Sequence, residues 1–205
     1  MNIQKISFLL IVLLLIIVLI IKKANKKVNQ NQGEIEVNKV LEKIKGARLL
    51  EDVMVKRSKG TSQIDHILIT KKGIFVIETK DFSGKIIGEE DSKFWIQKLR
   101  FKENYFYSPI KQNYGHVKAV EEIIKRRNIC ISLIVFTNKS NIKKIKSETD
   151  VIQLKNLKKF IRRYKTDVKL SKAEIERIYK DLKRKDINSK RAIKKHIKTI
   201  QKNIE

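Results

Sequence analysis

The sequence predicts an α/β sandwich with a mixed central sheet, and three observations support this fold class. The predicted elements follow the order helix, strands, helix, strand, helix, which is typical of helices packed against a central sheet. One continuous apolar run, CISLIVFT, is typical of a strand that is buried on both faces. The length of 205 residues suits one domain with appendages rather than two full-sized domains.

The first half of the chain supplies a helix and several strands. Apolar residues with mostly helical spacing predict a helix over Glu34 to Lys45, with Gly46 as its C-cap. The stretches ARLLEDVMVKR and QIDHILITKKGIFVIETK are predicted strands, separated by a turn at Lys59-Gly60. The stretch SGKIIGEEDSKFWIQK adds two short strands. Pro109 can begin a helix that runs to about Arg127.

The second half predicts two strands and two helices. The strand CISLIVFT is followed by a shorter one, DVIQL, and by a basic helix in KNLKKFIRRY. Ser171 and Glu174 form a capping box that begins the last helix. The predicted division of the chain is therefore an N-terminal anchor (1–24), a linker (25–32), the main domain (33–140), a C-terminal extension (141–185) and a basic tail (186–205).

The amino terminus carries the pattern of a membrane anchor. An apolar run from Phe8 to Ile21 is followed by four lysines within six residues. Extended back to Ile3, the run covers roughly 28 Å as a helix, close to the roughly 30 Å thickness of the hydrocarbon core. No small-x-small cleavage site follows it, which favours an uncleaved anchor over a signal peptide. The lysines predict a single-pass protein of the cell membrane, with its N-terminus outside and its domain cytoplasmic.

The charge of the chain points to an anionic partner. Lys and Arg number 48 against 22 Asp and Glu, a net charge of +26. Such an excess attracts nucleic acid or an anionic membrane surface. The competing explanation is compositional drift, because Lys, Ile and Asn are abundant throughout. The single cysteine, Cys130, lies in an apolar run, which predicts a buried thiol and suits a reducing compartment.

The stretch QIDHILITKKGIFVIETK places charged residues in a predicted hairpin. If Lys71-Lys72 is the centre of the turn, Asp65 faces Glu78, and Gln63 faces Lys80 on the same face of the sheet. Opposed carboxylates destabilise a sheet unless a cation lies between them. A divalent metal such as Mg²⁺ takes carboxylate oxygens as ligands and would supply that cation.

A second register is equally compatible with the spacing. A three-residue loop with Gly73 at a bulge pairs Asp65 with Thr79 and turns Glu78 to the other face. The apolar partners are as good in this register, and the hairpin then has no metal site. The residues by themselves leave the two registers open.

Several short motifs occur in an order that resembles the NERD (nuclease-related) domain. They are Gly33-Glu34, QIDHILI, GIFVIETK, Trp95-x-Gln97 and PIKQNYGH, and the resemblance extends to the strand LIVFTN. The NERD domain is similar to the PD-(D/E)XK nuclease superfamily, which includes Holliday junction resolvase-like and restriction endonuclease-like enzymes. The resemblance therefore implies a restriction endonuclease-like α/β/α sandwich, preceded here by the predicted transmembrane helix.

Matched motif by motif, the resemblance implies a catalytic site formed by Glu34, Asp65, Glu78, Lys80 and Gln112. The first three residues would bind Mg²⁺ (or Mn²⁺). Lys80 would orient a water or stabilise developing negative charge, and Gln112 would position substrate or water. Ile64 stands where the superfamily name has a proline, a departure that NERD domains usually share.

Two functions follow from this reading. The first is a membrane-anchored, Mg²⁺-dependent deoxyribonuclease that hydrolyses phosphodiester bonds of DNA at the cytoplasmic face. The alternative is a non-catalytic, membrane-tethered module that binds nucleic acid, anionic lipid or a partner protein. His66 is expected to pack on the opposite face of the hairpin, and His116 could share the face of Gln112. The aromatic residues near Trp95 suit base stacking or packing equally well.

Overall fold

A computed structural model describes residues 32–57 and 60–187. The predicted anchor, nearly all of the linker and nearly all of the basic tail lie outside these residues. Along the described chain the elements are α1 (32–41), β1 (Arg48–Lys56), β2 (Thr61–Thr70), β3 (Gly73–Lys80), β4 (Gly84–Glu89), β5 (Phe94–Lys98), β6 (Glu103–Tyr107), α2 (Pro109–Ile124), β7 (Cys130–Phe136), β8 (Ser140–Lys146), β9 (Asp150–Gln153), α3 (Leu157–Arg163) and α4 (Lys172–Lys185).

The central sheet has five strands in the order β1-β2-β3-β7-β9. The first three strands are antiparallel neighbours, whereas β7 pairs with β3 and β9 pairs with β7 in parallel. The sheet is therefore mixed, as predicted. The apolar run of β7 lies between two parallel neighbours, which explains why its inner residues are buried on both faces.

The β2–β3 hairpin adopts the register centred on Lys71 and Lys72. Ile69 pairs with Ile74, and Ile67 pairs with Val76. The bulged register is excluded, because Gly73 pairs with Thr70 at the end of the ladder and begins β3. Within the paired part of the hairpin, Ile67, Ile69, Ile74 and Val76 therefore share one face of the sheet.

Helices cover both faces of this sheet and bury its apolar side chains. One face carries Ile67, Ile69 and Val76 and packs against α2 and α4. The other face carries Leu68, Phe75 and Ile77 and packs against α1 and α3. The result is a sandwich of helices, sheet and helices. No helix within residues 32–57 and 60–187 has the length and hydropathy needed to span a membrane.

The predicted helix boundaries need small corrections. The described part of α1 ends at residue 41 rather than at Lys45, and Gly46, with φ of +73°, lies in the turn that precedes β1. The helix α2 ends at Ile124 instead of Arg127 because Lys125 adopts the left-handed conformation. The predicted capping box is confirmed, since Ser171 and Glu174 exchange hydrogen bonds between side chain and backbone at the start of α4.

The prediction of a single sheet was incomplete. A second sheet has four strands in the order β6-β5-β4-β8, and neither β6 nor β8 was predicted. The sequence of β8, SNIKKIK, is too rich in lysine to be predicted as a strand, and its two isoleucines are the apolar side chains that it packs against the core. Its pairing with β4, a strand distant in the chain, is what makes it a strand.

The inner face of the second sheet packs against the central sheet around Trp95. The indole is fully buried and stacks on Phe136 of β7, with ring centroids 6.3 Å apart and planes 6° apart. Gly88 leaves room for this ring, because a Cβ atom there would lie 2.2 Å from an indole carbon. Cys130, predicted to be buried, is only half-buried at the start of β7, and this partial burial raises the pKa of its thiol to about 12.

Candidate active site

The candidate site lies where β2 and β3 separate. Their backbone pairing ends at His66 and Ile77. Beyond that point the side chain of Asp65 replaces a main-chain acceptor: its Oδ2 accepts a hydrogen bond of 2.7 Å from the N–H of Thr79. Asp65 thus bridges the gap between the strands and is held there by a backbone group of β3.

Strand alternation places Glu78 and Lys80 on one face of β3, opposite α2. The Lys80 Nζ donates to Glu78 Oε1 at 2.6 Å and to Gln112 Oε1 at 3.0 Å. The Glu78 side chain is 3% exposed, whereas that of Lys80 is 17% exposed and can reach a bound molecule. Gln112 lies in the first turn of α2, a helix that begins at Pro109 with Ser108 as its N-cap. The structure therefore brings Lys80 between Glu78 and Gln112.

His116 completes the surroundings of Glu78. It lies one helical turn after Gln112, and its Nε2 is 3.2 Å from Glu78 Oε2. Its Nδ1 is 2.6 Å from the hydroxyl oxygen of Ser62, and the histidine tautomer decides which of the two atoms donates. Even with this approach, Glu78 Oε2 is buried and accepts no hydrogen bond from the described residues. The Oε2 atom of Glu78 thus faces the His116 imidazole, while Oε1 accepts from Lys80.

The surroundings of Glu78 and Asp65 shift the pKa values of the two carboxyl groups in opposite directions. Burial opposes ionisation of Glu78, but the charge of Lys80 and the contact with His116 outweigh it and hold the Glu78 pKa below its usual value. Burial alone would lower the pKa of the Lys80 ammonium, but the charge and hydrogen bond of Glu78 outweigh this effect and raise it. Desolvation and the carboxylates of Glu78 and Glu34 raise the pKa of Asp65 well above its usual value. Asp65 is therefore the carboxyl that a further cation would stabilise most.

Glu34 approaches the same carboxyls from the other layer. It lies at the start of α1, and burial together with Asp52 and Glu78 raises its pKa. The adjacent Gly33 permits this placement, because a Cβ atom there would lie 2.7 Å from the Cβ of Asp81, just beyond β3. The glycine of the Gly33-Glu34 motif therefore lets α1 begin close to the end of β3.

His66 is a packed residue rather than part of the site, as predicted from strand alternation. It is 2% exposed, and burial lowers its pKa to about 4. A hydrogen bond with the backbone of Glu34 opposes that shift, which places the imidazole beneath the start of α1. The imidazole is neutral at pH 7 and packs against the start of α1.

Comparison with known proteins agrees with this architecture. The family model described as the Nuclease-related domain, NERD, matches residues 29–137. The chain belongs to the NERD family. A similar protein is an uncharacterized protein of Bacillus anthracis, which is 36% identical over 204 residues covering 97% of this chain and 96% of the relative. No solved structure matches the chain.

All five site residues that the motifs indicate lie inside the part of the chain that matches the NERD family. The structure brings Asp65, Glu78, Lys80 and Gln112 together through β2, β3 and α2. Glu34 joins them through electrostatic coupling with Asp65 and Glu78. The residues that the NERD-domain resemblance indicated thus come from four elements, α1, β2, β3 and α2, and lie close together in the structure.

Sequence reasoning missed or undervalued the polar support around these residues. Ser62 was not singled out, and its contact with His116 follows only from the way α2 crosses β2. Asn113 was also missed, although its buried amide donates to the carbonyl of Val76 and to the hydroxyl of Ser132. Asn113 is a polar residue on the apolar face of α2, and that position in the sequence could have indicated a buried amide. These contacts hold α2 against β3 and β7.

The donor set of the NERD domain suits a hard divalent cation. The described residues contain no group of three or more His, Cys, Asp or Glu side chains arranged to hold a metal ion. Mg²⁺ does not require one, because it commonly uses one or two protein carboxylates and completes its shell with water and phosphate oxygens. Asp65, held by the Thr79 N–H, and Glu78, close to it where the β2–β3 pairing ends, offer carboxylates of that kind.

Proposed function

We propose that this NERD protein is a metal-dependent nuclease that hydrolyses phosphodiester bonds of DNA. The observation that carries the proposal is the proximity of Asp65 and Glu78 at the point where β2 and β3 separate, with Lys80 beside Glu78. A module that only bound a polyanion would gain nothing from acidic side chains clustered at this point, because carboxylates repel phosphate. Acidic residues do suit a site that recruits a cation to a phosphate.

Asp65, Glu78 and Glu34 would hold Mg²⁺ or Mn²⁺ in this proposal. A divalent ion so bound supplies Lewis-acid stabilisation of the phosphoryl oxygens and lowers the pKa of a bound water. The residues of the chain have their own tasks. Asp65 is positioned by the Thr79 N–H, and Glu78 is positioned by Lys80 and His116, so neither carboxylate has to be reoriented when a substrate arrives.

Lys80 has the properties of a group that stabilises negative charge. Its pKa is raised by Glu78 in spite of burial, so it stays protonated at neutral pH. It is therefore suited to donate hydrogen bonds to a phosphoryl oxygen as negative charge develops, and unsuited to accept a proton from water. The Gln112 carboxamide fixes the direction of the Nζ atom and presents its own N–H groups nearby.

The direct test is cleavage of DNA by the full chain, purified in detergent. We expect a plasmid or linear duplex to be cut in the presence of Mg²⁺ or Mn²⁺ and to stay intact in EDTA. Asp65→Ala and Lys80→Ala should each cleave at least about 10²-fold more slowly. If the wild-type chain cleaves no faster than these variants while all three bind DNA, the protein is a binding module and the nuclease proposal fails.

We further propose that the N-terminal segment anchors the protein in the cell membrane with its domain in the cytoplasm. The support is the apolar run from Phe8 to Ile21 and the lysines that follow it. The full chain is then expected to stay with membranes after an alkaline carbonate wash, and a chain lacking residues 1–24 is expected to be released. Release of the full chain by the wash would contradict the anchor.

A further inference from the structure

The outer face of the second sheet carries exposed aromatic side chains. Phe94 is 53% exposed on β5, and Tyr105 and Tyr107 are 69% and 46% exposed on β6. Phe94 and Tyr107 are cross-strand partners, with their rings edge to face and the centroids 6.3 Å apart. Burial of aromatic side chains of this size would be strongly favourable, so their exposure on one sheet face marks an interaction surface.

The same face carries lysines next to the aromatic rings. Lys85 of β4 is the cross-strand partner of Lys98 of β5. Like charges directly opposite one another destabilise a sheet, and Glu103 of β6, which lies 2.7 Å from the Lys98 ammonium, offsets part of that cost. Lys144 of β8 is the partner of Ile87, which places a further ammonium on this face. The outer face therefore carries its aromatic rings on β5 and β6 and these lysines on β4, β5 and β8.

Strand alternation separates this face from the core. Phe94, Ile96 and Lys98 point outward on β5, whereas Trp95 between them is buried against the central sheet. A partner on the outer face would therefore leave the packing around Trp95 intact. Substitutions on this face can test binding without removing the contacts that join the two sheets.

We infer that this face binds single-stranded DNA, with bases stacked on Phe94 and Tyr105 and with phosphates near Lys85 and Lys98. Exposed rings favour bases over the outside of a duplex, because a duplex hides its base faces. The lysines favour a polyanion over an apolar protein partner. This inference rests on the proposed action on DNA and adds the form of the nucleic acid that the protein holds.

The chain connects this face to the candidate active site at two points. Lys80 at the end of β3 is four residues before Gly84, where β4 begins. At the other side, Tyr107 ends β6 and is followed within five residues by Gln112 of α2. A DNA strand held on the outer face thus lies on a sheet that is joined to the rest of the domain close to Lys80 and to Gln112. Strand ends, gaps or displaced strands are the substrates that such a surface would retain.

The test is the affinity of the full chain for DNA in EDTA, where no cleavage occurs. Fluorescence anisotropy would compare a labelled oligothymidine of 20 nucleotides with a duplex of 20 base pairs. Phe94→Ala and Tyr105→Ala are each expected to weaken oligothymidine binding about tenfold and duplex binding less than about twofold. Tyr105→Trp should restore the affinity. Tyr114→Ala, at an exposed tyrosine of α2, is the matched control and should bind like wild type.

Several outcomes would overturn the inference. They are an equal loss of affinity for both DNAs, an unchanged affinity in Phe94→Ala and Tyr105→Ala, and a change in oligomeric state showing that a second copy covers this face. If the aromatic variants weaken oligothymidine binding but the wild type does not cleave DNA, the inference holds and the nuclease proposal fails. If the wild type cleaves DNA but the aromatic variants bind like wild type, the nuclease proposal holds and the inference fails.

Discussion

Asp65→Asn is expected to abolish DNA cleavage and, at the same time, to raise the stability of the folded domain at neutral pH. Asparagine keeps an oxygen that can accept the Thr79 N–H, so the junction between β2 and β3 stays intact. The variant loses the charge that would hold the divalent ion, and we expect kcat to fall by about 10³-fold. Rates would be measured on the same DNA with Mg²⁺ at saturating concentration.

The expected gain in stability follows from the direction of the Asp65 pKa. Desolvation and the carboxylates of Glu78 and Glu34 raise this pKa above the ordinary value of 3.8, so ionisation of Asp65 costs free energy in the folded state. That cost is absent below pH 3.8, begins as pH rises past it, and grows until pH exceeds the folded pKa. The advantage of Asp65→Asn should therefore be small at pH 3.5 and larger at pH 7.

Urea unfolding followed by the fluorescence of Trp95, the single tryptophan, would measure this difference. Asp91→Asn, at an exposed turn between β4 and β5, is the matched control and should alter neither rate nor stability. Added Mg²⁺ should raise the unfolding midpoint of the wild type and leave that of Asp65→Asn unchanged, because only the native state of the wild type binds the ion. If Asp65→Asn cleaved DNA as fast as the wild type, Asp65 would not be a catalytic residue.

Lys80→Met is expected to destabilise the domain by about 3 kcal/mol at pH 7, because it leaves a buried carboxylate without its cation. The Glu78 side chain is 3% exposed, and its Oε1 atom would lose the 2.6 Å contact with Nζ. The double variant Lys80→Met/Glu78→Gln should recover most of the loss, since it removes both charges together. The midpoint of urea unfolding is again the measurement.

The pH dependence of Lys80→Met has a defined sign. In the wild type the Glu78 pKa is held below its ordinary value of 4.5, so the ion pair stabilises the fold above that pH and this contribution is lost as pH falls through the folded pKa. In the variant the charge of Lys80 no longer opposes burial, so the Glu78 pKa is expected to rise even though His116 stays in contact with the carboxylate. The difference in stability between the two proteins should therefore be large at pH 7 and should narrow below about pH 4.

An exposed ion pair provides the control for this prediction. Lys98 contacts Glu103 at 2.7 Å, but the two side chains are 54% and 43% exposed. Water screens such a pair, and Lys98→Met is expected to leave the unfolding midpoint nearly unchanged. Equal midpoints for Lys80→Met and the wild type at pH 7 would mean that Glu78 is not an ionised partner of Lys80.

The structure explains why some features were predictable and others were not. The strand β7 and the capping box of α4 depend on local patterns, namely a continuous apolar run and an S-x-x-E spacing, and both were predicted. The second sheet was not, because β8 pairs with β4 more than fifty residues earlier in the chain. Its lysine-rich sequence carries no signal of that partner.

The sequence by itself determined the two apolar strands of the hairpin, the composition of the candidate site and the NERD-family motifs. It left two registers open, because the isoleucines of β2 find apolar partners in either. Only the tertiary structure decided between them: α2 and α4 cover the face that carries Ile67, Ile69 and Val76, and a shift of one residue would expose that face. The same packing brings α2 over β3, so that Gln112 and His116 reach Lys80 and Glu78.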